Sequence, residues 1–265
     1  MKRKPNLLPP IQPNVGIQRA YQKRLDALIK EMGASVAHWL SARYKANPPE
    51  IARDASPSKD MIAEMRTLKR RWLKRFDVLS QEMATHFATS VADRTDAALK
   101  ASLKKAGFAV EFKLTAAQND LIQSAVGQNV TLIKLIPEQH LTQVEGIVLR
   151  GVQNGRDLAT IVNGLTEQLG VTRSRAATIA RSQTNMATAA LERNRQMELG
   201  LGAKWKHSGG GKHPRPDHVA FAAGKNGGPF YDPKVGALID GKRIWPGTEI
   251  NCRCRSQIVL PSFDK

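Results

Sequence analysis

The stretch TRSRAATIARSQTNMATAALERNRQMELG, residues 172–200, decides how the rest of the chain is read. Ala176, Ile179, Ala180, Ala187, Ala190 and Leu191 recur at helical spacing and make one apolar face. Thr172 stands where an N-cap belongs, since its hydroxyl can take an orphan backbone N–H. Gly200 stands where a helix closes, because glycine accepts the left-handed conformation of a C-terminal cap. Arg181, Thr184, Asn185 and Thr188 share a different face of the same helix. A polar stripe of this kind can hold a neighbouring loop through side-chain to backbone hydrogen bonds.

Beyond Gly202 the period changes from helical to two. Ala203, Trp205 and His207 alternate with Lys204 and Lys206, the pattern of a half-buried strand. Asp240-Gly241, set between Ala237-Leu238-Ile239 and Arg243-Ile244-Trp245, is a hairpin turn signal. Residues 256–260 read as a last short strand. Upstream, residues 115–170 predict three shorter helices over 116–135, 137–152 and 157–169, with Pro137 in the first turn of the second and Gly155 and Gly170 as punctuation.

Further back, Met61, Met65, Leu68, Trp72, Phe76, Leu79, Met83, Phe87 and Val91 predict one long helix over 59–106, with Ser58 as N-cap and Gly107 as stop. Tyr21, Leu25, Leu28, Met32, Val36 and Trp39 predict another from Ile17 that ends before Asn47-Pro48-Pro49. A rod that long needs a partner, and the first helix is the obvious one. The reading is therefore a mainly α chain with a small C-terminal α+β unit: a long N-terminal helical hairpin, central helices, then a C-terminal helix with short antiparallel strands. The segments are a Pro-rich extended arm over 1–16, a basic helical hairpin over 17–106, a short-helix bundle over 107–171 and an α+β domain over 172–265.

Forty-one Lys and Arg against 23 Asp and Glu leave a net charge of +18. Like charges repel in the compact state, so such a surplus points to a polyanionic partner. Residues 1–106 hold 21 basic and 10 acidic side chains and residues 107–265 hold 20 and 13, so the surplus leans N-terminal without sitting in one tail. Arg66, Lys69, Arg70, Arg71, Lys74 and Arg75 crowd around Trp72 with no acid among them. A merely solvated face would interleave Glu, which makes these six the DNA-contact candidates. The opening MKRKPNLLPP has a positive start but its leucines are cut off by prolines, so no signal peptide is expected. No run is apolar enough to span a membrane. Two cysteines give no disulfide framework. The expectation is a soluble protein of the cytosol with no membrane partner.

The segment WKHSGGGKHPRPDHVAF, residues 205–221, is dense in His, Gly and Pro and is where an enzyme reading would begin. Gly209-Gly210-Gly211-Lys212 lacks P-loop spacing, and the His-Pro-Arg-Pro that follows is not expected to start a helix. Cys252 and Cys254, if in a strand, point to one face with Cα atoms about 6.6 Å apart. That suits joint metal ligation with His218, His213 or His207 better than a disulfide. Against this stands the reading of two buried cysteines packed as small apolar residues, which is preferred. A deaminase would need His-x-Glu and Pro-Cys-x-x-Cys, and both are missing. Asp217-His218 with Asn251 could suggest a His-Asn-His nuclease, but no helix is expected after Asn226. No catalytic residue is assigned.

Three segments, IARSQTNMATAALERNRQMELG (179–200), WKHSGGGKHPRPDHVA (205–220) and GKRIWPGTEINCRC (241–254), resemble in order and spacing the Mu F-like minor head, or head morphogenesis, proteins of tailed bacteriophages. The resemblance covers about 136–261 and rests on Arg181, Thr184, Asn185, Trp205, Pro214, Arg215, Asp217, His218, Pro246, Cys252 and Cys254 as a structural motif. It implies a non-enzymatic virion component, present in few copies at the portal vertex inside the head, made in the host cytoplasm. The implied partners are the portal protein, the major capsid or scaffold protein, and packaged double-stranded DNA bound without sequence preference. Many family members carry Cys-Pro-x-Cys where this chain has Arg215-Pro216-Asp217-His218, and His where it has Glu249. That removes a ligand, so no metal and no other cofactor is expected. Arg215 and Asp217 are expected to bond the polar face of the Thr172 helix, with Pro214 and Pro216 stiffening a turn. The competing function is a metal-dependent nuclease or toxin-like DNA-acting enzyme; toxins of this kind add a domain for which residues up to Lys265 leave no room.

Overall fold

The computed structural model describes residues 6–46, 56–153, 158–209 and 213–261. In chain order they form β1 (Asn6–Leu7), α1 (Val15–Ala46), α2 (Ser56–Lys105), α3 (Ala116–Gln153), α4 (Leu158–Glu198), β2 (Gly202–Lys206), α5 (Pro216–Ala222), β3 (Phe230–Tyr231), β4 (Ala237–Ile239), β5 (Lys242–Ile244) and β6 (Arg255–Leu260). The fold is mainly helical with a small C-terminal antiparallel strand unit, as the change of period at Gly202 implies. Two compact units divide the chain. One takes the described residues of Met1–Gln18, His86–Ala125 and Arg181–Lys265; the other takes Arg19–Thr85 and Val126–Ala180. Helices α2, α3 and α4 each supply a segment to both, so the units cut across the sequence segments 17–106, 107–171 and 172–265.

The helical unit is an antiparallel four-helix arrangement, and its contacts show the sense of each pair. Between α1 and α2, Arg24 meets Glu82, Glu31 meets Arg75 and Ser35 meets Trp72. Asp77 of α2 meets Lys134 of α3, and Lys69 meets Thr142. His140 of α3 bonds Thr172 of α4, and α4 returns along α1 with Arg173 near Asp26. In each pair one number rises as the other falls. The core is Tyr21, Leu25, Leu28, Ile29 and Met32 of α1 with Met61, Met65, Leu68, Trp72 and Phe76 of α2 and Ile133, Ile136, Leu141 and Val144 of α3. Each fully buried side chain of this size contributes roughly 1.5–3 kcal/mol. Trp39, read as part of the α1 stripe, is 42% exposed, and Leu40 takes the buried place at 1%. Four residues from Val36 rather than three is the step that keeps the stripe facing the core.

Three boundaries differ from the sequence reading. Residues 116–153 are one helix with Pro137 inside it. The proline lacks the N–H that would bond the carbonyl of Ile133, a defect of about 3 kcal/mol. Buried Ile133, Ile136 and Leu141 on both sides of it offset that cost. Likewise α4 runs unbroken through Gly170 and Thr172. Thr172 is buried in mid-helix, where its hydroxyl donates to the Gln168 carbonyl at 2.9 Å and meets His140 Nδ1 at 2.9 Å. Its cap-like side chain serves a helix-to-helix bond instead of a helix start. Helix α2 begins at Ser56, two residues before the expected cap. Gly107 and Gly200 do end their helices, with φ of +91° and +63°. Gly155 and Asn47-Pro48-Pro49 lie outside the described residues.

The mixed unit is built on a four-stranded sheet of order β1-β6-β2-β3, antiparallel throughout, and a separate β4-β5 hairpin. The hairpin turn is Asp240-Gly241, both at positive φ, as the strand twist requires. β6 alternates as a half-buried strand should: Ser256, Ile258 and Leu260 turn inward. The Pro-rich arm enters this unit, pairing Asn6 with Leu260 and Leu7 with Val259. Leu8 and Ile11 then pack with Leu99, Leu103, Ile258 and Leu260. A second cluster joins Trp205, Phe221, Ala237, Ile239, Cys252 and Cys254. The sequence reading denied a helix after His213-Pro214-Arg215, yet α5 starts there, with Pro216 in its first turn. A first-turn proline loses no hydrogen bond, because that N–H has no partner within the helix.

Candidate functional site

The segment 245–254, which has no helix or strand, lies against α4. Asn185, buried on α4, donates from Nδ2 to the Cys252 carbonyl at 3.2 Å, while its Oδ1 accepts from Arg255 Nη2 at 3.2 Å. Arg181 Nη2 donates to Asn251 Oδ1 at 3.3 Å, and the Asn251 backbone N–H donates to Ser182 Oγ at 3.3 Å. Asn251 has φ of +60°. Short polar side chains tolerate this left-handed conformation best, so the turn can fold flat against α4. Gly247 follows the buried Pro246, and a Cβ on it would lie 3.1 Å from the Ala189 Cβ and 3.3 Å from the Cys254 carbonyl oxygen. The polar stripe of α4 is thus the seat of this segment.

Within the seat, His218 of α5 meets both cysteines. Its Nδ1 lies 3.7 Å from Cys252 Sγ and 3.7 Å from Cys254 Sγ. The three donor atoms fall within 4.8 Å of one another, and all three residues are buried. Trp205, 0% exposed, closes the site by an edge contact to the His218 ring at 5.1 Å and to Phe221 at 5.7 Å. On the other side of the ring, His218 Nε2 faces Glu249 Oε2 at 3.3 Å and Asp217 Oδ2 at 3.9 Å. Burial opposes protonation of His218, but Cys252 and the two carboxylates outweigh it and leave its pKa raised. The nearness of the two thiols pushes the Cys252 pKa down and that of Cys254 up. Cysteines exposed by only 2% and 3% offer no nucleophile to a substrate in this conformation.

Arg215 and Asp217 do not bond α4 as expected. The Arg215 guanidinium pairs with Glu249, 3.3 Å from Nε, and donates from Nη2 to the Ile250 carbonyl at 3.0 Å. Pro214 and His213 are exposed, and His207 Nδ1 accepts the Gly209 N–H at 3.1 Å. Residues 210–212 lie outside the described residues. Asn251, the residue a His-Asn-His nuclease would have used, gives its side chain to Arg181 and Ser182. Thr184 and Thr188 are buried on the same helix.

One set of residues escaped the sequence reading. Glu192, 2% exposed, has its carboxyl pushed up to about 8 by burial, against which Arg255, the Ile11 N–H and Gln196 pull it down. Gln196 and Ser256 bond each other, and Tyr231 Oη reaches Ser256 Oγ at 3.0 Å. Arg195, 3% exposed, takes Asp96 with two nitrogens at 3.0 and 2.6 Å and Glu198 at 2.7 Å. The signal was there: from Thr188, steps of four reach Glu192 and Gln196, which continue the polar stripe.

The basic cluster lies in the helical unit. Arg66, Arg70, Arg71, Lys74 and Arg75 are exposed and Lys69 is half-buried. Arg75 is held by Glu31 at 2.5 Å and Lys69 reaches Thr142 at 3.5 Å. Arg71 lies over Trp39, its Cζ 5.9 Å from the ring centre. Among the described residues no carboxylate pairs with Arg66, Arg70, Arg71 or Lys74.

No curated protein and no solved structure matches the chain. One family model does, over residues 142–257, a span that takes in the seat on α4, the Trp205 strand, α5 and the Cys-x-Cys turn. That region of the chain is similar to the Phage Mu protein F like family, as the three motifs imply.

Proposed function

We propose that this protein is a head morphogenesis protein of a tailed phage: a minor virion component at the portal vertex inside the head, serving assembly and DNA packaging or ejection. The observation that carries the reading is the Phage Mu protein F like match over 142–257, a family that suggests head morphogenesis. The site supports a structural role. Its polar groups are spent on fastening a turn to α4, and its cysteines and His218 are buried. The net charge of +18 and the basic side chains of α2 that meet no carboxylate among the described residues fit a protein lying beside packaged DNA, held through phosphate contacts without base recognition. The portal protein, and the major capsid or scaffold protein, are the protein partners this location implies.

Localising the chain in intact particles by labelled imaging tests the reading. A few copies at one vertex are expected. Label spread over the whole shell, or purified particles that lack the chain, would overturn it. Cleavage of duplex DNA on adding Mg²⁺ would favour a nuclease instead.

A further inference from the structure

The cluster of His218, Cys252 and Cys254 has the spacing of metal ligands rather than of hydrogen-bonded thiols. Zinc bonds of about 2.3 Å to sulfur and about 2.0–2.1 Å to nitrogen, at a tetrahedral angle, put a thiolate and an imidazole nitrogen about 3.6 Å apart. Here both sulfurs stand 3.7 Å from the same atom, His218 Nδ1. A single lone pair, or a single N–H, serves one sulfur well and not two. One cation in the middle serves all three donors.

The surroundings agree with that reading. With Nδ1 turned to the sulfurs, the ring proton belongs on Nε2, which faces Glu249 at 3.3 Å and Asp217 at 3.9 Å. Nε2 makes no hydrogen bond there, but the carboxylates stand on the side where a metal-bound histidine ordinarily gives its second N–H. Cys252 and Cys254 belong to the same buried cluster as Trp205. The indole N–H of Trp205 also lies beside Cys254 without meeting hydrogen-bond geometry. Arg215 does not intrude, since its guanidinium is turned to Glu249 and Ile250.

We propose that His218 Nδ1, Cys252 Sγ and Cys254 Sγ bind one zinc ion, with a solvent molecule completing the tetrahedron. Two thiolates and an imidazole are a soft set that selects zinc over magnesium or calcium. The ion fastens α5, whose start is marked by Pro214 and Pro216, to the turn that α4 seats, which holds Pro246. The loss of a ligand at Arg215 leaves a site with three protein donors instead of none. This inference stands on side-chain geometry and is independent of the function proposed above.

The test uses the full chain, without an affinity tag, purified from zinc-supplemented medium and dialysed. Elemental analysis is expected to give close to one zinc per chain. Exchange for cobalt is expected to give thiolate-to-cobalt charge-transfer absorption with tetrahedral ligand-field bands. Chelation is expected to expose both thiols to a thiol reagent that reacts slowly with the loaded protein. Glu249→Gln keeps all three ligands, so it is expected to fold and to bind zinc 10–100-fold more weakly. Folded protein that takes up no zinc, a cobalt spectrum without the thiolate band, or stoichiometric zinc retained by a folded Cys252→Ser, Cys254→Ser double variant would each overturn the proposal.

Discussion

Asn185 shows how much one amide can carry. Its two ends are spent on different partners, the Cys252 carbonyl and the Arg255 guanidinium, and the residue is buried. Asn185→Ala leaves a buried carbonyl short of a donor and a partly buried cation short of an acceptor. The expected loss is about 2 kcal/mol, read as a lower urea midpoint with unchanged slope. Glu192 has a carboxyl raised from the ordinary range to about 8 by burial. The folded state therefore holds a proton that the unfolded chain releases near pH 4.5. Its stabilising share is complete below that pH and is lost as pH rises towards 8. Glu192→Gln keeps a neutral, similarly shaped group at every pH, so its stability relative to the parent should increase from pH 5 to pH 8. An equal difference at both pH values in urea titrations would show that the carboxyl is not protonated in the fold.

At the scale of elements, glycines tell apart a turn from a close approach. Gly241 has φ of +71° in the hairpin with nothing within 4 Å of an added Cβ, while Gly247 has φ of +84° and meets Ala189 and the Cys254 carbonyl. Gly241→Ala should cost only the backbone strain, about 1 kcal/mol, and Gly247→Ala should cost about 2–3 kcal/mol because it also pushes the turn off α4. Equal losses in thermal melts would mean that the turn is not seated. The elements themselves were largely legible. The stripe Met61, Met65, Leu68, Trp72 gave α2, and Asp240-Gly241 gave the hairpin. What misled was local punctuation: Pro137, Gly170 and Thr172 look like helix ends and lie inside helices. Gly170 and Thr172 are weak local preferences and Pro137 a cost of about 3 kcal/mol, each set against burial of the residues around it, and packing outweighs propensity when the flanking stripe is continuous.

For the whole molecule, charge is the quantity that function turns on. Four basic side chains of α2, Arg66, Arg70, Arg71 and Lys74, have no carboxylate partner among the described residues, while Arg75 and Lys69 are engaged. Binding of the full chain to unrelated duplexes should therefore fall with log salt at a slope of about −4, close to −0.9 for each of four phosphates. Replacing Arg66, Arg70 and Lys74 by Gln should flatten that slope by about 3 and leave the affinities for different sequences equal. A slope that the triple variant does not change would assign these side chains to solvent or to a protein partner.

The sequence by itself determined the fold class, the helical hairpin, the hairpin turn and the family resemblance, because each is written in local period, turn chemistry or motif order. It also listed Asn185, Trp205, His218, Cys252 and Cys254 as one motif. Only the tertiary structure decided what these residues do together. The direction of a guanidinium or an imidazole depends on partners far away in the chain: Arg215 turns to Glu249 and Ile250 rather than to α4, and His218 puts one nitrogen between two sulfurs and the other against a carboxylate. Spacing along the chain fixes which face a side chain occupies. It cannot fix which atoms from α5 and from a turn 34 residues later arrive at the same point, since that is set by the packing of both against Trp205 and by the bonds of the turn to α4.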